Sequence, residues 1–81
     1  MSNILQFIVD ETRQILLQKG ETVTDITLET EFLTDLPMDS LDLATLIVSL
    51  EMHTGLDPFR SGFKTFYNVG QLVELYESIE N

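Results

Sequence analysis

Asp39-Ser40-Leu41-Asp42 is the stretch of this sequence whose residue types and spacing could do chemistry. Leu36-Pro37-Met38 leads into it, and the most apolar run of the chain follows it. Asp39 is placed as an N-cap, its carboxylate accepting a hydrogen bond from an early helical N–H. Asp42, three residues on, can reach back in a weak version of a capping box, which prefers Glu or Gln there. Ser40 then falls in the first turn, with its hydroxyl beside a positive helix end. Free N–H groups and the macrodipole favour phosphate at such an end, so a phosphate ester on Ser40 would be well accommodated. Serine is common near helix starts as a plain polar residue, so the triplet depends on its surroundings for meaning.

Other chemistries fare worse. A serine hydrolase needs a base beside its nucleophile, yet the chain holds one histidine, His53, and no Gly-x-Ser-x-Gly elbow. His53 reads as a solvated or capping residue, and no catalytic residue is assigned. A calcium loop needs carboxylates at alternate positions around a central glycine, which Asp35 to Asp42 lacks. Loose association with Mg²⁺ or Ca²⁺ is the most those acids suggest, and no metal site is predicted. The chain reads as a non-enzyme.

The elements that must position Ser40 follow from periodicity. Asn3 to Lys19 reads as a first helix, capped by Ser2 or Asn3 and ended by Gly20. Its stripe is Ile4 or Leu5, Ile8, Thr12, Ile15 and Leu16, with Phe7 and Val9 flanking. Lys19 suits the negative helix end. Glu21 to Met38 alternates β-branched and polar residues in part, but a lone strand would leave its backbone unpaired. A long loop tacked down by Ile26, Leu28, Phe32 and Leu36 is preferred, with one turn near Thr30 to Thr34 and a functional reason for its length. Ser40 to Thr54 is the second helix, ended by Gly55. Asp57-Pro58 opens a short third helix or turn through about Ser61, broken at Gly62. Asn68-Val69-Gly70-Gln71 is a capping box opening a fourth helix to about Ile79, with a stripe of Val69, Leu72, Val73 and Tyr76 and either Leu75 or Ile79. The fold class is all-α: a small antiparallel four-helix bundle, three main helices plus a short third, with a long loop between the first two.

Residues 1–81 are expected to form a single domain, since 81 residues leave no room for a second. Without cysteine the chain has neither disulfides nor thiolate metal sites, and packing must rest on its 43% hydrophobic residues. No signal peptide and no membrane-length apolar run are seen, so a cytoplasmic chain is expected. Fourteen acids against four bases give a formal charge of −10. That charge disfavours nucleic acid and anionic membranes and steers towards basic partners. The acids are concentrated: from Gly20 to Phe59 there is no Lys or Arg.

The second helix has too many apolar residues for one face. Leu43, Leu46, Ile47 and Leu50 suffice as a core stripe. Leu41, Ala44, Val48 and Met52 make a second line on roughly the opposite side, at about 100° per residue. A helix apolar nearly all round is either fully buried or carries a binding surface, and a bundle this small cannot easily bury it. An exposed apolar strip starting beside Ser40 and edged by Asp42 and Glu51 is therefore expected.

In that context Asp39-Ser40-Leu41 followed by Asp42-Leu43 resembles the Asp-Ser-Leu attachment motif of the acyl carrier protein family. Leu46-Ile47-Val48-Ser49-Leu50-Glu51 and Gly55-Leu56 are similar to that family's second helix and the turn after it. Phe32-Leu33-Thr34-Asp35-Leu36 and the helix opening near Val69-Gly70 extend the likeness over nearly the whole chain. The resemblance implies that Ser40, flanked by Asp39 and Leu41, receives a 4′-phosphopantetheine arm from coenzyme A through a dedicated transferase. The arm's thiol would hold acyl or aminoacyl intermediates as thioesters for enzymes of fatty-acid, polyketide or related biosynthesis. Asp39, Asp42 and Glu51 would meet basic docking patches on those partners while Leu41, Ala44, Val48 and Met52 fill apolar depressions, the carrier acting as a monomer. It also implies a cargo cavity that Leu46, Leu50 and Phe32 would line.

The chain departs from the family's pattern at several places. Pro37 stands where glycine is common, Met38 sets a large apolar side chain beside the site, and Thr45 replaces a frequent Glu. Residues 59–67 are unusually aromatic and basic. These differences suggest a specialised carrier rather than the central one of lipid synthesis. The rival reading is an acidic helical interaction module without a prosthetic group, with Ser40 incidental or a phosphorylation site.

Overall fold

The computed structural model describes residues 4–80 apart from 24, 61 and 63. Three helices follow in order, α1 (Ile4–Gln18), α2 (Ser40–Thr54) and α3 (Val69–Glu80). The cap expected at Ser2 or Asn3 lies outside the described residues.

The first helix buries Ile4, Ile8, Thr12 and Leu16, one residue per turn. Ile4 rather than Leu5 heads the stripe, since Leu5 is turned outward. Its end is a Schellman closure: Gly20 N–H donates to Leu17 O at 3.0 Å and Glu21 N–H to Leu16 O at 2.9 Å. Gly20 takes φ 80°, which a Cβ would penalise, and Lys19 becomes the C-cap residue.

Against α1 lie both other helices, α2 running antiparallel to it. Phe7 near the start of α1 stacks on His53 near the end of α2, with ring centroids 3.7 Å apart. Among the described residues α2 and α3 do not pack backbone against backbone. Connecting segments supply the rest of the core, with Ile26, Phe32, Leu36, Met38 and Phe66 all buried. Phe32 meets Phe66 edge-on at 6.0 Å.

The loop from Glu21 to Met38 pairs at one point. Phe32 N–H donates to Tyr67 O at 3.1 Å and Val69 N–H to Thr30 O at 2.9 Å, an isolated bridge of Glu31 with Asn68. The bridge lies beyond the alternating β-branched stretch, whose described residues form no strand, as the preferred loop reading has it. Leu28 does not tack the loop by its side chain, which is 44% exposed. Its carbonyl does so instead, accepting from Gly70 N–H at 2.8 Å. A Cβ on Gly70 would stand 3.1 Å from that oxygen, tight enough that the close approach favours glycine.

The expected short third helix is corrected to turns. Arg60 N–H donates to Asp57 O and Gly62 N–H to Phe59 O, each an i to i+3 closure that does not propagate. The Asp57 carboxylate binds Phe59 N–H at 3.0 Å, capping a turn that goes no further. Ser61, where that helix was to end, lies outside the described residues. The capping box of the last helix forms, with Gln71 N–H on Asn68 Oδ1 at 2.8 Å and Asn68 N–H on Gln71 Oε1 at 3.2 Å. Val69, Leu72, Val73 and Tyr76 are its buried stripe. The Tyr76 phenol is pushed up to about 12, mostly by burial and in smaller part by the negative charges of Asp57 and Glu51.

Leu46 is wholly buried. Leu46→Ala should therefore cost roughly 2–5 kcal/mol in urea unfolding, and a near-neutral result would reassign the faces of α2.

Candidate functional site

Asp39 heads α2 in extended conformation, and the capping box is complete. Asp42 N–H donates to Asp39 Oδ1 at 2.9 Å, and Asp39 N–H to Asp42 Oδ2 at 3.1 Å. Aspartate closes the box here despite its short side chain. Ser40 is the first residue of the helix and is exposed.

Core side chains hold the approach from below. Leu36 and Met38 are buried while Pro37 and Asp39 face water. Met38 thus anchors the turn from inside, where the sequence suggested an apolar group lying beside the serine. From outside, the Lys19 ammonium donates to Pro37 O at 2.9 Å and to Asp42 Oδ2. That hydrogen bond from Lys19, with the Asp39 N–H second, holds the Asp42 carboxyl below the usual carboxylate range. The bond to Asp42 in turn raises Lys19.

The outer face of α2 is apolar as expected: Leu41 is 73%, Val48 55% and Met52 81% exposed, with Ala44 exposed between them. From Ser40 to Met52 the helix rises about 18 Å, so the serine and the far end of the strip are well separated. Asp39 and Glu51 are exposed beside it, whereas the Asp42 carboxylate is already engaged by Lys19, with which an approaching cation would compete. Thr45 turns its hydroxyl onto its own helix, donating to Leu41 O at 3.1 Å. His53 sits at the opposite end of α2 from Ser40, stacked on Phe7.

Beside Ser40 opens an apolar groove of 630 Å³. One wall is α2, with Leu43, Ala44, Ile47 and Val48; the other is Phe59, Thr65, Phe66 and Tyr67. Leu46 and Leu50, expected to line a cavity, are instead packed solid on the core side. Phe32 borders only a 40 Å³ recess alongside. The reason is rotation: Leu43 and Ile47 sit between the core face and the open face, so they border the gap. The aromatics Phe59, Phe66 and Tyr67 are visible in the sequence, but their meeting with α2 is not. In sequence Lys19 is a helix-end charge, and nothing in the spacing points from it to Pro37 or Asp42. Among the described residues no cluster of His, Cys, Asp and Glu could hold a metal ion.

A family model described as a phosphopantetheine attachment site matches residues 11–76. The acyl carrier protein of Helicobacter acinonychis (strain Sheeba) is 40% identical over 60 residues, 74% of this chain and 77% of that protein. No solved structure matches the chain. The chain belongs to the acyl carrier protein family, whose covalent group is 4′-phosphopantetheine. Members of this family carry acyl groups for acyl-processing enzymes rather than catalysing reactions themselves.

Because its folded-state carboxyl sits below 3.8, Asp42 contributes stability above the ordinary carboxylate range. That contribution is lost as pH falls through the lower, folded value. Asp42→Asn should be less stable than the parent near pH 7, with the gap closing on acidification below 3.8. Unfolding midpoints across that range check it, and a gap that widens in acid would contradict the assignment.

Proposed function

We propose that Ser40 is the attachment residue for 4′-phosphopantetheine, and that the chain presents acyl or aminoacyl thioesters to enzymes of fatty-acid, polyketide or related biosynthesis. The observation that carries this reading is an exposed serine at a fully capped helix start, opening directly onto an apolar groove. Loading by a dedicated transferase joins Ser40 Oγ to the phosphorus of the arm. The pyrophosphate bond of coenzyme A breaks, adenosine 3′,5′-bisphosphate leaves, and the hydroxyl proton passes to the transferase or to water. The group fits: Ser40 is exposed at the start of α2, where the positive helix end would favour the charge of a phosphodiester. Once bound, the arm supplies the thiol that a chain without cysteine otherwise lacks.

The chain's own residues do the rest. Asp39 and Asp42 hold the serine's helix turn, and Leu41 stands exposed next to the attachment point. Leu43, Ile47, Phe59 and Phe66 offer an apolar wall along which a hydrocarbon cargo can lie, shielded from water. Leu41, Ala44, Val48 and Met52 form the docking strip, with Asp39, Asp42 and Glu51 drawing basic patches on partner enzymes. Rim charge of this kind raises encounter rate and selectivity more than final affinity, which suits a carrier that must let go. The aromatic wall of Phe59, Phe66 and Tyr67 fits service in a specialised pathway, and the proposed carrier acts as a monomer in the cytoplasm.

Intact-mass spectrometry after incubation with coenzyme A and a broad-range transferase should show one added arm, absent in Ser40→Ala. That variant should keep the parent's thermal midpoint within a few degrees, since the side chain is exposed; an unmodified parent would overturn the carrier reading at Ser40. Val48→Asp should fold normally yet slow acyl exchange with a partner, whereas an unfolded product would mean that the strip is internal.

A further inference from the structure

We infer that Lys19 is a positioning residue for loading Ser40, fixing from the end of α1 the turn that delivers the serine. The inference rests on Ser40 being the acceptor. One ammonium bridges both flanks of that residue: Pro37, whose carbonyl it binds at 2.9 Å, lies three positions before it, and Asp42 lies two after. The Asp42 oxygen that Lys19 binds is the one that accepts the Asp39 N–H. Lock and helix cap therefore share an atom, and loosening one loosens the other. Met38 is buried beneath the same turn, so apolar packing holds it from the core side and Lys19 from the solvent side.

Lys19 can reach the turn because the Schellman closure ends α1 there, with Gly20 at φ 80° carrying the chain away. Its side chain is 36% exposed and that of Asp42 19%, a surface pair of the sort that adds little to global stability. Its effect is local instead. Nucleophilic attack needs Ser40 Oγ in line with the phosphorus, and displacement of about 1 Å can cost a large factor in rate.

Charge alone predicts the opposite sign. Removing a cation from an acidic surface should hasten encounter with a basic enzyme and lower KM. Loss of positioning lowers kcat.

The test uses the full chain, coenzyme A and a broad-range transferase, comparing the parent with Lys19→Met and Lys19→Arg. Lys19→Met should lower kcat three- to tenfold without raising KM, leave the thermal midpoint within a few degrees, and speed hydrogen exchange at the Asp39 and Asp42 amides alone. Lys19→Arg, whose guanidinium offers several donors, should recover at least half of the lost kcat. Parental kcat in Lys19→Met, with or without a lower KM, overturns the inference, as does a fall in kcat with unchanged exchange at those two amides. A parent that takes up no arm fails the Ser40 reading instead, which separates the two.

Discussion

A tether point on a carrier has to satisfy opposing demands: the hydroxyl must be open to another protein, yet its backbone must not wander. Here the capping box between Asp39 and Asp42 reconciles them. Each carboxylate satisfies a backbone N–H of the other residue, so the turn carrying Ser40 is closed by two reciprocal bonds. The burial pattern does the remaining work. Leu36 and Met38 point inward, while Pro37, Asp39 and Ser40 point out, so alternate side chains anchor the segment from the core side and leave Ser40 in reach.

The first helix is the spine on which this depends. It packs on both other helices, which do not pack backbone to backbone on each other among the described residues. It also ties α2 at two ends, through Lys19 on Asp42 at the head and Phe7 on His53 at the tail. A helix pinned at both ends along one side keeps its far side free for other surfaces. That free side holds the exposed apolar strip, and it meets the groove at Ala44 and Val48. The groove opens where α2 faces Phe59, Thr65, Phe66 and Tyr67. Phe66 drops into the core between Phe32 and Phe59, with centroids 6.0 Å from each, and leaves an apolar shelf facing Leu43 and Ile47.

Charge is distributed to match. The acids from Glu21 to Asp57 face no Lys or Arg in their own stretch of chain. Lys19 enters from outside that stretch and occupies Asp42, leaving Asp39 and Glu51 exposed along the apolar strip. The acidic surface thereby remains open to basic partners without repelling the turn that bears the serine.

The sequence alone determined the helices, because each is written in local signals. Gly20 and Gly55 end two of them, Asp39 and Asn68 begin two, and stripes such as Ile8, Thr12 and Leu16 or Leu72, Val73 and Tyr76 repeat at helical spacing. It also determined Ser40 at a helix start and an apolar excess on α2, since propensity, capping and periodicity act over a few residues. Tertiary structure decided what spacing cannot encode. Asp57-Pro58 carries a valid helix start, yet among the described residues only turns follow, with Phe59 packed against the core beside buried Phe66. Leu28 holds the loop with its carbonyl rather than its side chain, because Gly70 lets another backbone come close. Leu43 and Ile47, not Leu46 and Leu50, border the groove, because the rotation of α2 is fixed by α1 and the loops together. Lys19 meets Pro37 and Asp42 across 18 and 23 positions of chain, a pairing that exists only once the two helices have been folded antiparallel.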